Sequence, residues 1–222
     1  MKTAIVIGAT GLVGNELVKL LLKDSRIELV KVFTRKSLHI NNNKLEEHII
    51  NFDQPDQWKK LVTGDILYSA LGTTLKVAGS KDAQYIVDYN YQYNFARMAA
   101  ANGVGKYILV SASGSSANSK IFYSRMKGEL ERDIKKIPFE TIHILRPGML
   151  KGKRDKVRTG EILGVALLNA IGSFPGLQAL KPISGTEVAN AMINATFRHV
   201  VGIHSYGPSV LFDLSKTVAV TG

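Results

Sequence analysis

The chain has 222 residues, and none of them is cysteine. Disulfide bonds and thiolate chemistry are therefore excluded, and cysteine usage leaves the redox compartment open. No spacing of side chains suits a metal ion, since His199 and His204 each stand alone. We expect a globular protein without a metal site, because a hydrophobic content of 45% and a charged content of 21% are typical of globular domains.

Long apolar runs are also missing. The first apolar run ends at Gly8, too early for a signal peptide, and the run from Ile162 to Ile171 is too short to cross a bilayer. These absences predict a cytoplasmic protein with no membrane span. The length suits one sizeable domain, whereas two independent domains would each be small.

Acidic residues are scarce, with 18 Asp and Glu against 29 Lys and Arg, which gives a formal net charge of +11. Such a balance suits nucleic acid or an anionic membrane, but it also suits a polyanionic cofactor. The basic residues are scattered, and the one modest concentration, Lys151 to Arg158, is better interpreted as a solvated loop than as an anion-binding segment. We expect no specific nucleic-acid partner.

The opening segment is the most informative part of the chain. An apolar stretch from Ala4 to Ile7 breaks into glycines, and apolar residues then recur at helical spacing, which predicts a strand, a turn and a helix. Gly8 permits a tight turn, Gly11 lets the backbone approach a pyrophosphate, and Gly14 lets the helix pack on the strand. The segment predicts dinucleotide binding, although such turns also occur for structural reasons alone.

No acid follows the second predicted strand, Leu29 to Phe33. An acid there would accept hydrogen bonds from a ribose 2′-hydroxyl, whereas an arginine pairs with a 2′-phosphate. Arg35 stands at this point, with Lys36 and Ser37 beside it. We predict a preference for NADP(H) over NAD(H); the alternative is that these are ordinary surface charges.

Strands and helices alternate along the chain, which predicts an α/β fold with a doubly wound parallel sheet. Further predicted strands cover residues 48–52, 65–70, 107–110 and 139–145, and a long helix covers residues 81–102 with Ile86, Tyr89, Tyr93, Phe95 and Met98 chiefly in the core. Asp53, after the third strand, either meets the adenine or caps the turn before Pro55. Leu71 and Gly72 follow the fourth strand, at the sheet edge where ligands of such folds lie.

A second set of polar residues follows the fifth strand. Ser111 and Ser113 stand at its end, and a helical segment then presents Tyr123 and Lys127 on one face. A nearby ammonium favours the phenolate, so that this tyrosine can exchange a proton near neutral pH. A serine hydroxyl would hold a substrate oxygen, and the set would support hydride transfer to or from a nicotinamide.

These features together resemble the short-chain dehydrogenase/reductase superfamily. The glycine spacing is similar to its extended and atypical branches, and the other motifs resemble the atypical group related to the Tat-interacting oxidoreductase-like proteins, from residue 1 to about residue 197. The motifs are Ser69-Ala70-Leu71-Gly72-Thr73-Thr74, Ala78-Gly79-Ser80, Val87-Asp88-Tyr89, Tyr123 with Lys127-Gly128-Glu129, and Leu145-Arg146-Pro147-Gly148.

The resemblance implies a Rossmann-type core and a set of residues with assigned roles. Ser113, Tyr123 and Lys127 would be catalytic, with Ser111 the rival of Ser113. Arg35 would meet the 2′-phosphate, Asp53 the adenine, and Leu71 and Gly72 the ribose side. The pyrophosphate would lie against Gly8, Thr10, Gly11, Leu12, Val13 and Gly14, and the remaining cofactor contacts would come from Lys36, Tyr123, Lys127, Arg146 and Pro147.

The carboxyl-terminal part predicts a small substrate-facing lobe, residues 147–222, within a single domain of residues 1–222. Pro147 and Gly148 redirect the chain after the sixth strand. Residues 161–171 form a candidate helix that roofs the pocket or makes a subunit contact. Ser184 and Glu187 have the spacing of a capping box before another helix, and a last strand follows Val200.

The predicted function is an NADP(H)-dependent oxidoreductase acting on the carbonyl or alcohol group of a small molecule, as a monomer or homodimer. One alternative is a non-catalytic NADP(H)-sensing regulator or scaffold. Another is a nucleotide-sugar epimerase or dehydratase, for which the part after Pro147 is short.

Overall fold

Seven parallel strands form the central sheet of the structure, a computed structural model that describes residues 1–151 and 181–216. A separate two-stranded ladder lies beside it. Numbered along the chain, the strands are β1 Lys2–Ile7, β2 Ile27–Thr34, β3 Leu45–Ile49, β4 Ile66–Ser69, β5 Lys106–Val110, β6 Thr141–Leu145, β7 Leu150–Lys151, β8 Ile183–Ser184 and β9 Gly202–Tyr206.

The strand order in the large sheet is β3-β2-β1-β4-β5-β6-β9, and β7 pairs with β8 in the small one. Every described pairing is parallel, so the chain crosses over between successive strands. The order reverses between β1 and β4, and this reversal opens a crevice at the carboxyl ends of the strands. The predicted doubly wound α/β sheet is confirmed.

Helices cover both faces of this sheet. They are α1 Leu12–Leu21, α2 Leu75–Ala78, α3 Lys81–Tyr85, α4 Gln92–Ala101, α5 Phe122–Ile134, α6 Gly185–Thr196 and α7 Pro208–Ser215. Side chains alternate along β1, so that Ala4 and Val6 pack towards α1 and α6 while Ile5 and Ile7 pack towards α4 and α5. The two apolar clusters on opposite faces of the sheet make up the core.

The long predicted helix is present, but its middle is π-helical. Residues Ile86–Tyr91 form this wider segment between α3 and α4. The prediction that Ile86 lies in the core is wrong, because Asp88 takes the inward position and Ile86 is 40% exposed. Phe95, in α4, is fully buried as predicted.

The third strand ends three residues earlier than predicted. Asn51 ends it with a local turn, in which its side-chain oxygen accepts a hydrogen bond from the Asp53 amide at 3.0 Å. Phe52 is buried not as a strand residue but as part of an aromatic cluster, with its ring 6.0 Å from that of Trp58. The apolar character of residues 48–52 therefore reflects two different packing sites.

The carboxyl-terminal part that the structure describes adds to the main layers. Strand β9 pairs with β6, and α6 packs against α1 and α7. The predicted capping box is confirmed: the Ser184 hydroxyl accepts from the Glu187 amide, and the Glu187 carboxylate accepts from the Ser184 amide. The candidate helix at residues 161–171 and the basic loop beyond Lys151 lie outside the described residues. None of the described helices is long and apolar enough to cross a membrane.

Candidate functional site

The turn between β1 and α1 lies at the reversal of strand order. Gly8 has a φ of +84°, and a Cβ on it would lie 2.4 Å from the carbonyl carbon of Ala70, at the end of β4. A Cβ on Gly14 would lie 2.2 Å from the Gly8 carbonyl oxygen. Glycine is therefore required at both ends of the turn, where the backbone bends and where the helix meets it.

The amino-terminal end of α1 is open to an anion. Gly11 caps the helix without any side-chain hydrogen bond, and its first turn has no acidic residue. The N–H groups of Leu12 and Val13 therefore have no partner within the helix, as in the first turn of every α-helix. They also lie at the positive end of the helix dipole. A cradle of glycine backbone and free amides fits the pyrophosphate of a dinucleotide.

The end of β2 presents two cations to solvent. The Thr34 hydroxyl donates to the Lys36 carbonyl at 3.0 Å, which closes a turn with Arg35 at its tip. Arg35 and Lys36 are both exposed, and Arg35 forms no ion pair with another described residue. A guanidinium free of internal partners can form a bidentate contact with a phosphate.

Asp53 has a partner that the sequence did not reveal. Its carboxylate accepts a hydrogen bond from the Tyr91 hydroxyl at 2.7 Å, and the Tyr91 ring stacks on Phe52 with centroids 5.2 Å apart. Burial, followed by the bond to Asp53, raises the pKa of Tyr91 to about 12, so its phenol remains a donor. Asp53 does not cap the turn before Pro55; Asn51 makes the hydrogen bond there.

The loop after β4 is fixed from beneath by Asp88. Leu71 is partly buried and Gly72 exposed at the carboxyl edge of the sheet. The amide of the next residue, Thr73, donates to Asp88 Oδ2 at 2.7 Å. Oδ1 of the same carboxylate lies 2.9 Å from Lys127 Nζ, and the two side chains are 1% and 4% exposed.

Tyr123 and Lys127 share one face of α5, as predicted, but differ in environment. Tyr123 is 41% exposed at the start of the helix, whereas Lys127 is buried beside Asp88. Lys127 Nζ lies 5.9 Å from the centre of the Tyr123 ring. The phenol is thus accessible from solvent, whereas the ammonium is enclosed beside Asp88.

The two candidate serines after β5 face different ways. The Ser111 hydroxyl is buried and donates to Glu131 Oε1 at 2.6 Å. Ser113 is exposed, and its amide donates to the Pro147 carbonyl at 2.8 Å, which joins the loops after β5 and β6. Of the two, Ser113 has the hydroxyl free of a buried carboxylate.

Arg146, predicted as a cofactor contact, is paired with the protein itself. Its Nε donates to both carboxylate oxygens of Glu131, at 3.0 and 3.1 Å, and its Nη2 donates to the second of these. This bond raises the pKa of the guanidinium. Glu131 therefore connects Ser111, at the end of β5, to Arg146, at the end of β6.

The residues that sequence reasoning missed are hydrogen-bonding partners of the predicted ones, and Asp88 and Glu131 among them are buried. Glu131 and Tyr91 carried no signal, because their importance comes from contacts between elements distant in the chain. Asp88 belongs to the Val87-Asp88-Tyr89 motif, but no role was predicted for its side chain. An acid within an otherwise apolar helical stretch was the one signal that could have identified it.

The glycine turn at the switch point of a seven-stranded parallel sheet defines a dinucleotide-binding protein of the Rossmann type. The sequence matches the profile of the NAD(P)H-binding family over residues 8–199. The chain belongs to that family. The predicted resemblance is thereby confirmed at the level of an NAD(P)-binding protein with a Rossmann-type fold, as is NAD(P) binding as the class of cofactor.

Among sequence relatives, the chain is similar to two fungal proteins named FMP52, mitochondrial. The protein from Candida albicans is 33% identical over 206 residues, with 89% of each chain covered. The protein from Aspergillus clavatus is 32% identical over 210 residues, covering 91% of this chain and 90% of the relative.

Solved structures show the same fold at low sequence identity. A short-chain dehydrogenase/reductase superfamily protein from Agrobacterium tumefaciens with bound NAD aligns with a TM-score of 0.68 and 14% identity, covering 92% of this chain and 77% of the other. The UDP-glucose 4-epimerase of Thermotoga maritima aligns with a TM-score of 0.67 and 13% identity, covering 92% and 76%.

The expected cytoplasmic location is wrong by this comparison. The relatives from Candida albicans, Aspergillus clavatus and Coccidioides immitis all carry mitochondrial names. The expectation rested on the lack of long apolar runs, and such a lack does not specify a compartment.

Proposed function

We propose that the protein is an NADP(H)-dependent oxidoreductase that interconverts a carbonyl and an alcohol in a small molecule. The observation that carries the proposal is the placement of Tyr123 and Lys127. An exposed phenol and a buried ammonium lie on one helix face, at the same sheet edge as the open glycine turn.

The residues of the turn and the neighbouring loops would hold the cofactor. Gly8, Thr10, Gly11, Leu12, Val13 and Gly14 would surround the pyrophosphate. Arg35 and Lys36 would bind the 2′-phosphate, and Asp53 would meet the adenine. Leu71 and Gly72 would border the ribose side, and Pro147 would make a further cofactor contact. The Arg146 guanidinium would support these loops through Glu131.

The chemistry divides between cofactor and protein. When bound, NADPH supplies a hydride to the carbonyl carbon and is oxidised to NADP⁺. Tyr123 gives its phenolic proton to the carbonyl oxygen, which completes the alcohol, and takes a proton from solvent afterwards. Ser113 holds that oxygen by a hydrogen bond, and Lys127 stabilises the phenolate left after proton transfer.

The surroundings of Tyr123 favour an apolar substrate. Six of the thirteen large hydrophobic side chains exposed in the described residues lie on segments that follow β4, β5 and β6: Leu75, Val77, Ile121, Tyr123, Met149 and Leu150. Contacts join these segments, since Lys81 lies over the Phe122 ring at 5.7 Å and Ser113 bonds to Pro147. Exposed apolar side chains on segments joined in this way suit a ligand-binding surface.

The activity is tested by NADPH consumption with aldehydes, ketones and quinones. In the straight-chain series from butanal to decanal, we expect kcat/KM to rise by up to about fourfold per methylene, the value of one buried CH₂ group. Tyr123→Phe should abolish turnover and leave NADPH binding intact. If NADPH binds but no substrate gives a Tyr123-dependent rate, the sensor alternative replaces this proposal.

The cofactor preference is tested by titrating NADPH and NADH into the wild type and Arg35→Ala. We expect tighter binding of NADPH, and a loss of about 1–3 kcal/mol of that preference in the variant, because a charge-assisted contact disappears. Lys31→Ala is the control, because it removes a lysine of β2, the strand that Arg35 follows, and this lysine is bonded to Thr63. Equal wild-type affinities would contradict the assignment of Arg35.

A further inference from the structure

We propose that Asp88 is a positioning residue, which holds the Lys127 ammonium against the loop after β4 so that it meets the nicotinamide ribose. The inference rests on the proposed function, since it concerns the same cofactor. It adds Asp88, a residue to which the sequence analysis assigned no role.

Both oxygens of the Asp88 carboxylate are committed. Oδ1 lies 2.9 Å from Lys127 Nζ, and Oδ2 accepts from the Thr73 amide at 2.7 Å. One buried carboxylate therefore ties α5 to the loop that follows β4. The ammonium cannot move away from this loop without depriving the buried Asp88 carboxylate of its counter-ion.

Asp88 is itself held in place. It lies in the π-helical segment, and its carbonyl accepts from Gln92 Nε2 at 2.6 Å. Gln92 Oε1 in turn accepts from the Ser69 hydroxyl at 2.7 Å, at the last residue of β4. A π segment inside a helix is frequent at functional sites, and here it directs an acid towards the carboxyl edge of the sheet.

The ion pair is better explained by geometry than by stability. A buried pair returns little net stability, because desolvation offsets the attraction between the charges. An ammonium has three N–H donors, and Asp88 occupies one, which orients the other two. Among the described residues, Asp88 is the one ion-pair partner of Lys127 Nζ, so the two remaining N–H donors are available to ribose hydroxyls between the loop and α5.

The test compares two ligands that differ in the nicotinamide half. NADPH has it, and adenosine 2′,5′-bisphosphate lacks it while keeping the 2′-phosphate. For Asp88→Asn we expect NADPH affinity to fall by about fivefold or more, the loss expected for one charge-assisted contact, and the bisphosphate affinity to change by less than about twofold. Arg35→Ala should weaken both ligands.

Asp133→Asn is the matched control, because Asp133 is an equally paired carboxylate, bonded to Arg132, Lys136 and Tyr89, outside the site. It should leave both affinities unchanged. Equal weakening of the two ligands by Asp88→Asn would show a general structural effect and overturn the inference. If neither NADPH nor the bisphosphate binds to the wild type, the proposed function is overturned instead.

A double-variant cycle provides a second arm. If Asp88 acts through Lys127, then Asp88→Asn should change NADPH affinity by less than about twofold once Lys127 is replaced by Met, because the two effects are not additive. The double variant leaves no unpaired buried carboxylate, so if Lys127→Met alone fails to fold, the double variant is compared with Asp88→Asn instead. A further loss of NADPH affinity of less than about twofold is then expected. Full additivity of the two losses would overturn the inference.

Discussion

At the scale of single residues, Glu131 joins two of the candidate site residues. It is buried, it accepts a hydrogen bond from the Ser111 hydroxyl, and it forms an ion pair with Arg146. These contacts turn one candidate serine away from the crevice and leave the other exposed. They also connect the ends of β5 and β6. A neutral side chain in place of Glu131 could not neutralise the positive charge of the Arg146 guanidinium.

Replacing Glu131 with Gln should lower the free energy of unfolding by about 3 kcal/mol, because it leaves the Arg146 charge partly buried without its partner. Urea denaturation measures this loss. Asp213→Asn is the control, since the Asp213–Lys216 pair is exposed on both sides and an exposed pair contributes less than about 1 kcal/mol. Similar losses in the two variants would contradict the buried role of Glu131.

His143 makes the stability of the fold depend on pH. It is fully buried in β6 and its Nδ1 lies 2.9 Å from the Tyr206 hydroxyl. Burial, together with the charges of His204, Lys106 and Arg198, lowers its pKa from 6.5 to about 4. Because the folded pKa is below the unfolded value, the full stabilisation is present above about pH 6.5 and is lost as pH falls towards 4.

We expect the cost of keeping His143 neutral in the folded state to lower the free energy of unfolding by up to about 3 kcal/mol between pH 6.5 and 4. Guanidinium unfolding at several pH values in this range measures it. His143→Gln should flatten the decline, whereas His199→Gln, at an exposed position, should not. A wild-type slope retained in His143→Gln would assign the acid sensitivity to other groups.

At the scale of elements, the sequence predicts those strands, turns and helices that are determined by residues close together in the chain. The β1 strand, glycine turn and α1 helix are contiguous, so their apolar period and glycines contain the whole signal. The end of β3 was misplaced, because Phe52 is apolar for packing against Trp58 and not for pairing in the sheet. Apolar character predicts burial reliably, but not the kind of element that provides it.

The capping box of α6 is an element-scale feature with a measurable stability. The Ser184 hydroxyl accepts from the Glu187 amide at 3.1 Å, satisfying a donor at the helix start. Ser184→Ala should cost about 1 kcal/mol in the free energy of unfolding, and Ser184→Gly only a few tenths, since glycine is tolerated at such caps. Equal losses would show that the hydroxyl does not cap the helix.

At the scale of the whole molecule, the net charge of +11 acts on any polyanion. NADPH carries the extra charge of its 2′-phosphate. Raising NaCl from about 0.05 to 0.5 M should therefore weaken NADPH binding more than NADH binding, because the Debye length shortens from about 14 Å to about 4 Å. Parallel salt dependences in calorimetric titrations would contradict this. Arg35→Ala should bring the two curves closer together.

The candidate site was predictable where its residues stand at the ends of strands. Arg35, Asp53, Leu71 and Ser113 each follow a strand, and parallel strands bring those ends to one edge of the sheet. Their partners were not predictable, because the pairs of Asp88 with Lys127 and of Tyr91 with Asp53 join elements far apart in the chain. Spacing along a sequence does not encode such contacts.

The small ladder of β7 and β8 has a consequence for how this fold can vary. Leu150 pairs with Ile183 and Lys151 with Ser184, so two dipeptides that are far apart in the sequence lie side by side. In general, closing a longer stretch of chain costs only about 0.6 kcal/mol more for each doubling of its length. The ladder therefore places little restriction on how many residues separate the two dipeptides in the sequence. A change in that number should leave the pairing of β7 with β8 almost as stable as it is in this chain.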